Sequence, residues 1–250
     1  MHRDDLLADL RRLPAGDRVI TALDVPTAEA AVALAGRLGE RARFVKVGLE
    51  LFTAAGPLVV QLLRGQGKLV FLDLKFNDIP NTVAAAARAA ARLDVAMLTI
   101  HAACGRAAMT AAAAALAETA AAAGGRRPAL LAVTVLTSLG PAELAETSAA
   151  GDTVAARVQR LARLAWDSGC DGVVCAAADL PALRGDLGRQ PLAVTPGIRP
   201  AGADVQDQKR VATPGNARRD GADFLVVGRP ITQAEDPARA HAALTAELEV

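Results

Sequence analysis

Eight short apolar runs, each separated from the next by a stretch with helical spacing, constrain this chain more than any other feature. The runs are Val19–Leu23, Phe44–Gly48, Leu69–Lys75, Ala96–His101, Ala129–Leu136, Gly172–Cys175, Leu192–Thr195 and Phe224–Val227, each short enough to be a buried strand. Between them run helical patterns: through Leu38 after Pro26, Leu58 with Val59, Leu62 and Leu63, an alanine-rich helix from Thr82 to Ala91, and Val154 with Val158, Leu161 and Leu164. Eight strand–helix units in 250 residues match a TIM (β/α)8 barrel of the α/β class. No Gly/Ser/Pro-rich linker divides the chain, so residues 1–250 are expected to form one domain. Residues 1–17 are expected to form a short amphipathic helix, with Leu6, Leu7, Leu10 and Leu13 on one face.

An open doubly wound sheet would also alternate strands and helices, but it would carry a glycine-rich turn after the first strand. Asp24 and Pro26 stand there instead. Hydrophobic residues make up 52% of the chain, much of it alanine, and tyrosine is absent, so the core should be aliphatic. The formal net charge is +1 with few aromatics, which excludes a basic footprint or a stacking platform for nucleic acid. The alanine tract Ala111–Ala123 is interrupted by Glu118 and too weakly apolar to span a membrane, and the N-terminus lacks the apolar core of a signal peptide. Cys104, Cys170 and Cys175 have neither metal-ligand nor disulfide spacing; a reducing cytoplasm is expected, and no metal or cofactor is called for.

Polar residues gather where the strands end: Asp24, Lys46, Asp73 with Lys75, His101, Thr137, Thr195 and Arg229. Barrel enzymes do their chemistry at that end. On an ideal strand Asp73 and Lys75 project to one face about 7 Å apart. Asp78 would lie roughly 10 Å beyond Lys75 if the chain stayed extended, so it joins them only if the loop folds back or a second subunit supplies it. A structural ion pair plugging the barrel mouth is the plain alternative. Converging Lys46 and Asp24 weigh against it, because desolvating so many charges costs several kcal/mol per ion unless they balance.

Gly228 and Arg229 follow the last strand and precede a helix, a setting that suits a phosphate held by backbone N–H groups and a guanidinium; a tight turn with a surface arginine is the alternative. The seventh loop, from Pro196 to about Thr213, carries Arg199, Gln208 and Arg210 and has the length of a lid. Thr137 and Ser138 either bind a polar ring or start a helix. His101 reads more readily as a hydrogen-bonded wall residue than as a base, and His2 and His241 as surface.

The segment DLKFNDIPNTV, Asp73–Val83, with LDV at 23–25, VKVG at 45–48, LTS at 136–138, TPGIRP at 195–200, DQKRVATP at 207–214 and VVGR at 226–229, resembles the bacterial orotidine 5′-phosphate decarboxylases. The likeness runs from about Arg18 to the C-terminus and implies a cofactor-free and metal-free lyase of UMP biosynthesis, acting on a nucleotide as a homodimer. It implies Lys75 as proton donor, Asp73 beside the substrate carboxylate, and Lys46 and Asp24 completing the charged array and binding ribose. Asp78 and Thr82 would reach the neighbouring subunit's site. Thr137 or Ser138 would contact the pyrimidine, while Arg199, Gln208, Gly228 and Arg229 would hold the phosphate. One departure is the Ala-Ala-Cys-Gly after His101, where many members have a glycine pair. A metal-dependent enzyme of the same superfamily acting on keto-sugar phosphates shares the Asp-x-Lys-x-x-Asp pattern, but Lys46 would repel its cation. A non-catalytic nucleotide-phosphate sensor would be free to lose Lys75 or the aspartates, all of which are present.

Overall fold

In the computed structural model, residues 3–147, 151–200 and 210–248 are described. Eight parallel strands close into a barrel in chain order: β1 Val19–Ala22, β2 Phe44–Val47, β3 Leu69–Phe76, β4 Met97–His101, β5 Ala129–Val133, β6 Gly172–Val174, β7 Leu192–Thr195 and β8 Phe224–Val227. Closure is made by β1 pairing with β8, Val19 opposite Leu225 and Thr21 opposite Val227. Gly172 permits the tight β6–β7 approach, since a Cβ there would lie 2.4 Å from the Leu192 carbonyl oxygen.

The two-residue period of the strands sorts their side chains into two cores. Val45, Val47, Val70, Leu72, Leu98 and Ile100 face the surrounding helices. Ile20, Phe44, Phe71, Met97, Leu131 and Phe224 fill the barrel interior, where the rings of Phe44 and Phe224 meet edge to face at 5.8 Å. Leu6, Leu7 and Leu10 close the bottom of that interior, so the apolar layers end there in a plug. Following the inward phase upward, Phe44 gives way to Lys46, Phe71 to Asp73 and Met97 to Thr99. The interior therefore changes from apolar to charged towards the strands' C-terminal ends.

Several boundaries differ from expectation for identifiable reasons. The N-terminal segment forms two helices, Arg3–Arg11 and Ala15–Arg18, because Pro14 cannot continue the first. The helix expected from Thr82 starts at Pro80, where the missing N–H is not needed. β5 stops at Val133 and not at Leu136: the Thr134 N–H and hydroxyl both turn to the Val174 carbonyl, and the carbonyls of Val135 and Leu136 accept from Arg210. His241 is not a surface residue. It is 2% exposed, packed beneath β1 with Nε2 3.2 Å from the Val19 carbonyl oxygen. His2 lies outside the described residues.

Candidate active site

A cavity of about 750 Å³ opens at the C-terminal ends of the strands, within the size range of small-molecule sites. Its charged wall starts from β2, where Lys46, 8% exposed, points inward between two carboxylates. Its amine lies 3.1 Å from Asp24 Oδ1 and 3.7 Å from Asp73 Oδ2. On β3 the amine of Lys75 donates to the same Asp73 Oδ2 at 2.9 Å. The four groups form an alternating row, Asp24, Lys46, Asp73, Lys75.

The row depends on a local break in the sheet. β3 and β4 lose regular register between Leu72 and Phe76, and Lys75 sits at φ 51°, a left-handed conformation uncommon for residues other than glycine. The turn brings the lysine amine back onto Asp73, far closer than an ideal strand allows. The Thr99 hydroxyl, missed in the sequence, accepts from the Lys75 N–H at 2.9 Å and donates to Asp73 Oδ1 at 2.9 Å. The signal for it was a polar residue in the inward phase of an apolar strand, two positions before His101. Gly48 leaves room for this arrangement, because a Cβ would fall 2.8 Å from the Lys46 amine.

Electrostatics agree with this geometry. Burial alone would push the Asp73 carboxyl up, but Lys46, Lys75 and the hydrogen bonds from Lys75 and Thr99 together hold it below the ordinary carboxylate range. Asp73 is therefore a carboxylate at neutral pH. His101, half-buried at the top of β4, is held below the ordinary imidazole value by burial and by Lys75, against the opposing pull of Asp73, and it does not line the cavity.

The opposite wall is built from the loops after β5, β7 and β8. Thr137, Ser138, Arg199, Gly228 and Arg229 all line the cavity, as do Thr232 and Gln233, which the sequence reading did not single out. Arg199 is nearly buried at 8% exposure, and Arg229 opens the short helix Arg229–Thr232. Arg210, at the closing end of the seventh loop, chelates both Asp179 oxygens at 2.8 Å and donates to the carbonyls just before Thr137. The end of the expected lid is thereby tied to the β5 loop. Gln208 lies outside the described residues.

Asp78 and Thr82 are exposed and do not line the cavity. Asp78 Oδ1 accepts the Ile79 N–H at 2.6 Å, so the loop does not fold back onto Lys75 within this chain. Among the described residues there is no group of three His, Cys, Asp or Glu side chains able to hold a metal ion.

The chain is similar to known proteins along nearly its whole length. The family described as Orotidine 5′-phosphate decarboxylase / HUMPS matches residues 17–244. An orotidine 5′-phosphate decarboxylase of Moorella thermoacetica is 50% identical over 244 residues, covering 98% of this chain and 97% of the relative. One from Halorhodospira halophila is 53% identical over 236 residues, covering 94% and 98%. The crystal structure of orotidine 5′-phosphate decarboxylase from Lactobacillus acidophilus superposes with a TM-score of 0.83 at 40% identity, covering 94% of this chain and all of that one. With matches of this depth along nearly its whole length, the chain belongs to the orotidine 5′-phosphate decarboxylase / HUMPS family.

Proposed function

We propose that this protein is the decarboxylase that converts orotidine 5′-phosphate to UMP and CO₂, the last step of UMP biosynthesis, with Lys75 as the proton donor. The observation that carries this reading is the Lys75 amine held 2.9 Å from Asp73 at the mouth of a cavity whose far wall presents Arg199 and Arg229. Loss of CO₂ breaks the bond from the ring C6 to the carboxylate and leaves the electron pair on C6, where no neighbouring carbonyl delocalises it well. A fixed ammonium at that position stabilises the developing charge where it forms, and transfer of one proton from Lys75 to C6 completes UMP. Asp73 lies beside the departing carboxylate, and Lys46 with Asp24 holds the ribose hydroxyls. Thr137 or Ser138 meets the pyrimidine, while Arg199, Gln208, Gly228 and Arg229 take the phosphate. Binding energy from that remote phosphate is used to close the seventh loop and expel water.

The functional unit is a homodimer of single-domain barrels, residues 1–250, in which Asp78 and Thr82 of each subunit complete the site of the other. Exposed apolar side chains support this: Ile79, between them in sequence, is 67% exposed, and Leu49, Leu58 and Leu62 on the helices after β2 are exposed as well. Among the described residues no helix is long and apolar enough to cross a membrane, and Cys104, Cys170 and Cys175 are free thiols, which supports a cytoplasmic setting. The test is the ultraviolet absorbance of orotidine 5′-phosphate with purified protein in EDTA. Rapid loss is expected; no loss from folded protein, followed by turnover of a keto-sugar phosphate with Mg²⁺, would overturn the assignment.

A further inference from the structure

We propose that Thr99 is a positioning residue that sets the geometry of the Asp73–Lys75 pair. Its side chain is fully buried on the inward face of β4, level with Asp73. The hydroxyl has one proton and two lone pairs. The Lys75 backbone N–H can only donate, so a lone pair receives it, and the ionised Asp73 carboxylate can only accept, so the proton goes to Oδ1. Both bonds are 2.9 Å long, and they leave the hydroxyl a single orientation.

The two bonds fix different things. The Lys75 N–H falls in the irregular stretch between Leu72 and Phe76, and Thr99 supplies the acceptor there that a regular ladder would otherwise provide. That bond holds Lys75 in its left-handed conformation and so aims a long, flexible side chain. The bond to Oδ1 sets the rotation of the Asp73 carboxylate, which presents Oδ2 to the amine. A misplacement of about 1 Å in such a constellation costs on the order of a hundredfold in rate.

The kinetic side of this inference rests on the decarboxylase reading, and the structural side does not. Thr99→Val keeps the shape and removes both bonds, whereas Thr99→Ser restores them. The expected result for Thr99→Val is a kcat lower by roughly 10- to 100-fold with KM for orotidine 5′-phosphate within about threefold, and a crystal structure in which the Lys75 amine has left Asp73 Oδ2. Thr99→Ser is expected to recover kcat to within about fivefold of the parent. If Thr99→Val does not fold, Thr99→Cys, whose thiol bonds weakly, takes its place with the same readouts and a smaller effect. An unmoved Lys75 amine in the variant structure overturns the proposal whatever the substrate is. So does a lowered Tm with unchanged kcat, because that is the signature of a packing role alone.

Discussion

The amine of Lys75 lies 2.9 Å from Oδ2 of Asp73, although the two residues are neighbours on one face of a strand that would ordinarily hold them about 7 Å apart. The left-handed turn at Lys75 closes that gap. It concentrates a donor and a carboxylate at one point of the cavity, with Lys46 balancing the other side of Asp73.

Gly48 guards the next link in the row. Gly48→Ala would put a methyl group 2.8 Å from the Lys46 amine and 3.3 Å from Asp24 Oδ1. The amine is the far end of a flexible chain, so the fold should survive with a Tm within a few degrees. The displaced charge should lower kcat/KM by roughly 10- to 100-fold. Steady-state kinetics beside a thermal melt checks this, and unchanged kinetics would show that Lys46 does not need its observed position.

With Arg229 at the phosphate as proposed, Arg229→Ala should remove a charge-assisted contact worth about 1.5–3 kcal/mol, or roughly 10- to 150-fold in kcat/KM. The loss should be much smaller for a substrate lacking the phosphate. An equal loss for both substrates would take Arg229 away from that end of the site.

His241 makes stability depend on pH. Burial, with a smaller push from Lys68, outweighs the hydrogen bonds to Val19 and Gly16 and the pull of Asp17, so the folded imidazole titrates below its ordinary value. The unfolded chain then binds a proton from about pH 6.5 downward while the folded chain does not. Stability is therefore lost as pH falls through that window. His101 acts in the same direction. Tm should fall from about pH 7.5 to about pH 5.5, and fall less in His241→Gln, whose amide can still donate to Val19. Equal falls in both proteins would contradict this.

Subunit sharing can be tested by mixing Lys75→Ala with Asp78→Ala under exchange. Each is expected to be inactive alone. Half of the mixed dimers are hybrids with one intact site, so about one quarter of the parent activity should return. No recovery despite demonstrated exchange would contradict the sharing of sites between subunits.

Much of this was legible because a strand's two-residue period carries directly into space. Once Phe44 and Phe71 are read as inward, Lys46 and Asp73 must share that interior. The break in β3 was not legible, since no glycine marks a left-handed residue at position 75. Thr99 was hidden by its type: threonine suits strands on either face, and only the partners that β3 brings to it reveal its role. The burial of His241 depends on the helix Pro237–Ala246 packing under β1, a contact between chain ends that local patterning does not encode. Asp78 was legible as a distance problem, and in this chain it is exposed and does not line the cavity.

The most direct test of the central claim is turnover of orotidine 5′-phosphate by Lys75→Ala, with UMP affinity measured on the same preparation. A fixed ammonium and a proton donor together account for about a 10⁴-fold effect or more, so kcat should fall by at least that factor while UMP still binds. A Lys75→Ala enzyme that keeps kcat within about tenfold of the parent would show that another group delivers the proton and would contradict the account.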